Sequence, residues 1–452
     1  MQRRNFGLLA RARSVSVIAL AVGVLVGVLG VIGASAAPSH EADASSVTQW
    51  NLIAVNTLAG LPQPAGGAAP ASQINMGMVQ GAVYDAVNAI TPKHHRPYVL
   101  KRRFGNTASD EAAVSTAAYQ VLKNIVETVP QSIAFPTRGT VLASLETQYN
   151  ASTDAIPDSP FKNQGIAAGT AAAQAMIAAR QGDGRFGASQ WVPSNAPGHW
   201  SLLPGQANDP TPWVGGVKPF LLQSSSQFRS AGPPALTSAA WAADFNEVKA
   251  LGRATGSTRT DTQTYIARWW QSNPMASWND VARQLISRSH LNAADAARVL
   301  AIENMAGADA AINTWNDKYH FDFWRPWNAI VRASEDGNDA TVADPNWTAL
   351  ITAPYPDHVS GHLGLDSSHT AVLRRFFGDA PAGGYQITSG ALNHGGAATR
   401  TFGSFPQAVN EIVEARIWAG LHYRTADVQA VQLGTSVANY AAANYFESVG
   451  NH

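Results

Sequence analysis

Apolar side chains recur three and four positions apart through Met76–Ile90, Glu111–Val129, Gln164–Arg180, Ala293–Asn316 and Phe405–Leu421, with alanine filling much of the space between them. That period puts the apolar residues on one face of an α-helix, and alanine is the residue that resists helix least. A further helix-like run follows Ser360 as far as Phe377. Alternating Val, Ile and Thr, the mark of half-buried strands, is scarce. The pattern therefore predicts an all-α fold of helical bundles joined by long ordered loops. Beyond the N-terminal leader no stretch reaches about eighteen uninterrupted apolar residues, which excludes a multi-span membrane protein.

Punctuation divides the chain. Residues 182–235 are rich in Gly, Pro, Ser and Trp, with Pro197-Gly198-His199-Trp200, Pro212-Trp213 and Gly232-Pro233-Pro234 among them. This is too long for an ordinary connection. It reads either as a linker between an N-terminal helical region (37–181) and a C-terminal bundle (236–452), or as a packed covering over a cavity. The covering is favoured because linkers rarely contain Trp and Phe. Residues 1–36 read as an export signal: Arg3, Arg4, Arg11 and Arg13 precede an apolar stretch from Val15 to Ile32, then Ala34-Ser35-Ala36. Arg3-Arg4-Asn5-Phe6 also resembles a twin-arginine signal, and an uncleaved anchor is the alternative. The expected location is secreted or extracytoplasmic.

Composition narrows the chemistry. Among 452 residues there are 31 basic, 31 acidic and no Cys. Disulfides, thiolate nucleophiles and Cys-ligated metals are excluded, so His, carboxylates, hydroxyls or cations must do any chemistry. Removing the leader leaves 27 basic residues against 31 acidic, about −4 in charge, which argues against nucleic acid as a partner.

Three clusters in the last third stand out. In Lys318-Tyr-His-Phe-Asp-Phe-Trp-Arg325-Pro326 two cations lie among aromatic residues, where unpaired charge is costly and an anion is expected nearby. Asp317 and Asp322 are the alternative counterions. In Tyr355-Pro356-Asp357-His358-Val359-Ser360-Gly361-His362, Ser360 stands as an N-cap and Gly361 lets a guest approach the free N–H groups of a helix start. His358 and His369 are supporting candidates only. In Arg416-Ile-Trp-Ala-Gly420-Leu-His422, six helical steps separate Arg416 from His422, so a shared site needs a break near Gly420; Thr425 could then cap the next helix. Read separately, each cluster could be solvated charge, a routine helix cap, or an Arg paired with Glu414 or Asp427.

Read together they converge. Lys318, Arg325 and Arg416 would repel one another in one pocket unless a multiply charged anion filled it. With the Ser360 and Gly361 groups they could hold a tetrahedral oxyanion, while His422 attacks or ligates the central atom and His362 handles protons.

This order and spacing resemble the superfamily shared by vanadium-dependent haloperoxidases and the phosphatidic acid phosphatase type 2 group. The match comprises Lys, six residues, then Arg-Pro; Ser-Gly-His; and Arg, five residues, then His. Val359 replaces the usual Pro before Ser-Gly-His, and Ala415 replaces a common Ser before the Arg. Trp50-Asn51, the Met78–Ile90 stretch, Pro233-Pro234-Ala-Leu-Thr-Ser and Asp244-Phe-Asn-Glu-Val-Lys249 are similar to bacterial secreted haloperoxidase-like proteins.

The resemblance implies vanadate as cofactor, with phosphate able to occupy the same site. It would be bound by Lys318, Arg325, Ser360, Gly361 and Arg416, with His422 as the axial vanadium ligand. His362, His422 and Lys318 are the implied catalytic residues, Lys318 polarising peroxide. The implied reaction takes hydrogen peroxide and a halide to a hypohalous acid or equivalent, which halogenates a small organic acceptor. Tyr355 stands where characterised members of that family differ in ways linked to halide choice, and Tyr does not settle chloride against bromide. The alternative is a secreted acid phosphatase with His422 as phosphohistidine nucleophile and His362 as proton donor to the leaving alcohol. A third reading is a non-catalytic helical protein that binds phosphate.

Overall fold

The computed structural model describes residues 44–91, 95–189, 191–192, 194–390 and 398–449; the expected export signal lies outside them. Thirteen α-helices follow in chain order among the described residues: α1 (Ser45–Ala59), α2 (Ala69–Ile90), α3 (Asp110–Glu127), α4 (Arg138–Asp154), α5 (Pro160–Ala179), α6 (Ala239–Leu251), α7 (Asp261–Trp269), α8 (Pro274–Arg288), α9 (Ala293–Phe321), α10 (Pro326–Val331), α11 (Gly361–Phe377), α12 (Phe405–Trp418) and α13 (Arg424–Asn444). One antiparallel pair, β1 (Tyr385–Thr388) and β2 (Thr399–Phe402), interrupts them, with Tyr385 opposite Phe402. The all-α expectation holds; the small hairpin is an addition. Among the described residues no helix is long and apolar enough to cross a membrane.

The axis of the molecule is α9, whose 29 residues extend about 44 Å. It packs against α2 along one side and against α11 and α13 along another, while α3 and α5 close over α2. Nearly every residue of α2 is buried, including Gln73, Asn75 and Asp85, as expected of a helix surrounded by others. The described residues form a single compact unit.

Small residues let α11 sit deep between its neighbours. Gly364, one turn into α11, meets Thr314 of α9, and a Cβ at Gly434 of α13 would overlap the Gly364 carbonyl. The first turn of α11 is thus fixed from both sides, which matters because its free N–H groups face the site described below.

The Gly/Pro/Trp-rich segment lies along α9 as a covering. A stripe of α9 residues four apart receives its backbone donors. Asp309 accepts from the N–H groups of Phe220, Leu221 and Leu222 at 2.6, 2.7 and 2.8 Å. Asn313 accepts from Phe228 N at 3.0 Å and Asp317 from Ser230 N at 2.9 Å. Irregular backbone has no ladder of its own, so these side chains replace one. On a neighbouring stripe, Trp315 Nε1 and Tyr319 OH donate to Asp209 at 3.2 and 2.6 Å, bringing the segment to the edge of the site.

Candidate functional site

The chain turns sharply at three points to build one cavity. The first turn ends α9: Asp322 adopts a left-handed conformation (φ 48°), and Pro326 opens α10 so that Arg325 lies on the link. Lys318 and Arg325 therefore meet across a broken helix. The second is the N-terminus of α11, where Ser360 is the N-cap and Gly361 the first helical residue. The third closes α12. Gly420 has φ 72°, Leu421 N donates to Arg416 O at 3.1 Å, and Gly420 N donates to Ile417 O at 2.9 Å. This is a Schellman closure requiring a residue at ease with positive φ, and it turns His422 back towards Arg416. The expected break at Gly420 is present. Thr425 is not the cap of α13, whose N-cap is Tyr423. Asp244 of α6 takes the N–H and hydroxyl of Thr425, so the capping acceptor comes from another helix.

Arg325, Gly361, His362, Arg416 and His422 line one cavity of about 280 Å³, with Trp315, Tyr355 and Asp209 in its wall. Arg325 donates Nε to the Tyr355 carbonyl at 2.9 Å and Nη1 to the Leu421 carbonyl at 2.7 Å, while its Nη2 is buried without a partner among the described residues. Arg416 donates Nη1 to the Trp270 carbonyl at 3.1 Å, and its Nε is likewise unpartnered. Two orphaned guanidinium N–H groups beside a helix N-terminus call for an anionic acceptor. A Cβ at Gly361 would come within 3.1 Å of the Trp315 ring and 3.6 Å of Lys318 Cε, so a larger residue would crowd the Trp315 ring at this wall.

Lys318 and Ser360 stand behind that wall. The Lys318 ammonium donates to the carbonyls of Pro356, Asp357 and Val359 at 3.1, 3.0 and 2.5 Å. Burial and Arg325 press its pKa well down, partly offset by Asp357 and Asp209. Three accepting carbonyls nevertheless need three N–H hydrogens, which only the charged form has. Ser360 makes no side-chain cap; its hydroxyl faces Asp427.

Of the expected counterions only Asp427 acts at the site. Asp317 pairs with Arg229 at 3.0 Å, and Asp322 takes Trp191 Nε1 and His199 Nδ1 at 2.7 and 2.8 Å; their carboxylates are used in tying down the covering segment. Glu414 pairs with Arg424 at 2.7 Å. The acids at the site are Asp357, 3.7 Å from Arg325, and Asp427, the largest charge acting on Arg416. Burial lowers the Arg416 pKa to about 10 and raises Asp357 to about 7.

Both histidines are held neutral. Burial and Arg416 push His362 well below its usual range, and its Nε2 lies 3.2 Å from the Ser272 carbonyl, which can only accept. Burial followed by Arg325, Lys318 and Arg416 does the same to His422. His422 Nε2 sits 3.1 Å from Arg325 Nη1 and Nδ1 sits 2.8 Å from Asp357. His358 bonds Ser230 at 3.1 Å, and His369 bonds Glu303 and Gln73 at 3.0 and 2.8 Å; both are buried structural links. Sequence reasoning offered Asp427 as a partner of Arg416 but missed the roles of Asp357, Asp209 and Trp315. Each carries no motif of its own and reaches the site only through folding.

A family model for the VCPO second helical-bundle domain matches residues 298–451, which carry all seven candidate residues. The chain resembles the vanadium-dependent haloperoxidases and shares their fold. Vanadium chloroperoxidase of Curvularia inaequalis is 24% identical over 221 residues, 39% of this chain and only 36% of that enzyme's length. A bacterial vanadium-dependent iodoperoxidase structure superposes with a TM-score of 0.69 at 20% identity, covering 90% of this chain and 98% of that one. A holo-type bacterial vanadium-dependent chloroperoxidase gives 0.66 at 16% identity, covering 90% and 96%. The haloperoxidase fold thus extends through the N-terminal helices, beyond the matched domain.

Proposed function

We propose that the protein is a vanadate-dependent haloperoxidase that uses hydrogen peroxide to oxidise a halide, giving a halogenating species for a small organic acceptor. The observation that carries this reading is the pair of orphaned donors, Arg325 Nη2 and Arg416 Nε, buried around the cavity that His422 lines. Vanadate fits this donor set: it is a tetrahedral oxyanion that accepts N–H donors and takes a nitrogen ligand. When bound, it supplies an electrophilic centre that activates peroxide towards halide.

The chain's own groups do the rest. Arg325, Arg416 and the N–H groups at the start of α11 would hold and orient the oxyanion, and His422 would supply the nitrogen ligand. Neutral His362 can accept a proton at the cavity wall and return it. Lys318 holds the loop that presents Ser360 and Gly361, and adds positive charge directly behind Gly361. Trp315 and Tyr355 form an aromatic part of the cavity wall. The leader pattern supports action outside the cytoplasm.

The test is reconstitution of purified protein with orthovanadate, followed by peroxide-dependent bromination of a phenolic dye. Bromination that requires vanadate and is lost in His422→Ala is expected. Hydrolysis of an aryl phosphate by the vanadium-free protein, with no bromination after loading, would select the phosphatase reading instead.

A further inference from the structure

Asp357 is fully buried, and its carboxylate has no regular hydrogen bond among the described residues. A carboxylate so placed needs compensation. Two groups face it: His422 Nδ1 at 2.8 Å and Arg325 Nη1 at 3.7 Å. Its backbone is clamped, with N donating to the Phe323 carbonyl at 2.9 Å and O accepting from Lys318 at 3.0 Å. The side chain is therefore held against one edge of the imidazole.

Arg325 Nη1 reaches across the ring, 3.1 Å from His422 Nε2 and 3.4 Å from Nδ1. A guanidinium can only donate, and Asp357 can accept only at Nδ1, its near neighbour, so the two together favour the lone pair on Nε2. A neutral ring then has its hydrogen on Nδ1, the nitrogen 2.8 Å from Asp357 Oδ1. A carboxylate on the far nitrogen of a ligating histidine fixes the tautomer and makes the near nitrogen more basic.

We propose that Asp357 is a positioning residue for His422: it selects the Nδ1–H tautomer and turns Nε2 towards the oxyanion as a ligand. The ligand step rests on the haloperoxidase reading; the tautomer step does not. Asp357 also determines selectivity between oxyanions. Phosphate held without covalent attachment draws only on the N–H donors and cations, whereas vanadate also draws on Nε2. Asp357 opposes the first contribution, being a negative charge beside the cations, and strengthens the second.

The experiment has two arms. Nitrogen-15 histidine spectra of the vanadate-free wild-type protein, with the His422 signal assigned by its loss in His422→Gln, report the tautomer directly; Nδ1–H is expected and Nε2–H overturns the proposal. Titration of wild type and Asp357→Asn with orthovanadate and with inorganic phosphate reads selectivity. Vanadate affinity should fall about 10-fold or more while phosphate affinity is unchanged or rises. An equal shift for both anions would mean a merely structural residue and overturns the proposal. If the wild-type protein shows no preference for vanadate and no bromination, the haloperoxidase reading and the ligand step fail together, while the tautomer arm still decides what Asp357 does to the ring.

Discussion

Lys318 on α9 holds the carbonyl of Val359 at 2.5 Å, one residue ahead of the Ser360 cap of α11. The helix at the centre of the fold thereby fixes the loop that opens the oxyanion site, and stability and binding share one side chain. Replacing Lys318 with Met leaves three buried carbonyls without a donor. The expected cost is about 3 kcal/mol or more, together with weaker phosphate binding. Thermal melting and phosphate titration of Lys318→Met check this; unchanged melting would show that the loop does not depend on the ammonium.

Asp309 tests the covering segment. Its carboxylate satisfies the N–H groups of Phe220, Leu221 and Leu222, and burial raises its pKa to about 6 against their pull. Asp309→Ala should cost about 3–5 kcal/mol. Hydrogen exchange at residues 220–222 should accelerate more than exchange in α3. Uniform acceleration would mean global destabilisation without local release.

Asp366, one turn beyond His362 on α11, carries a pH-dependent contribution. Burial raises its pKa to about 7, opposed by the Trp278 N–H, His369 and Arg416. An acid whose pKa is higher folded than unfolded stabilises the fold fully below its unfolded value of about 4, and that contribution is lost as pH rises through about 7. The melting-temperature penalty of Asp366→Asn should therefore be greatest near pH 4 and shrink by pH 8. A penalty that grows with pH would show the carboxylate to be charged and stabilising.

The burial of methionine suits the oxidising product of the proposed reaction. It has no Cys, and Met76, Met78, Met176, Met275 and Met305 are all fully buried. Methionine oxidation follows exposure. Brief treatment of folded protein with dilute hypobromite should leave these five methionines unoxidised by peptide mass analysis, whereas the unfolded chain gains oxygen at each. Oxidation at equal rates in both states would contradict the burial.

Much of this was legible in the sequence, for identifiable reasons. The five periodic segments became α2, α3, α5, α9 and α12: α3, α5 and α12 turn an apolar stripe towards the core, while α2 and α9 carry the same spacing inside a nearly all-round burial. Gly420 announced its turn because positive φ favours glycine. The helix α4 was not legible, since Leu145 and Thr153 are its only buried residues and leave no stripe to read. The extension of α9 past Asn316 to Phe321 was missed because Asp317 and Lys318 are polar yet buried, the first paired with Arg229 and the second with the carbonyls of Pro356, Asp357 and Val359, which periodicity cannot anticipate. Asp357 stands 65 positions before His422, and no local pattern joins them. The tie exists only once Gly420 has reversed the chain.

A crystal structure of the protein loaded with orthovanadate, with vanadium located by anomalous scattering, tests the central claim most directly. The predicted result is a single vanadium within bonding distance of His422 Nε2, its oxygens accepting from Arg325, Arg416 and the Gly361 N–H. Vanadium bound elsewhere, or an oxyanion in the cavity with His422 turned away from it, would contradict the claim.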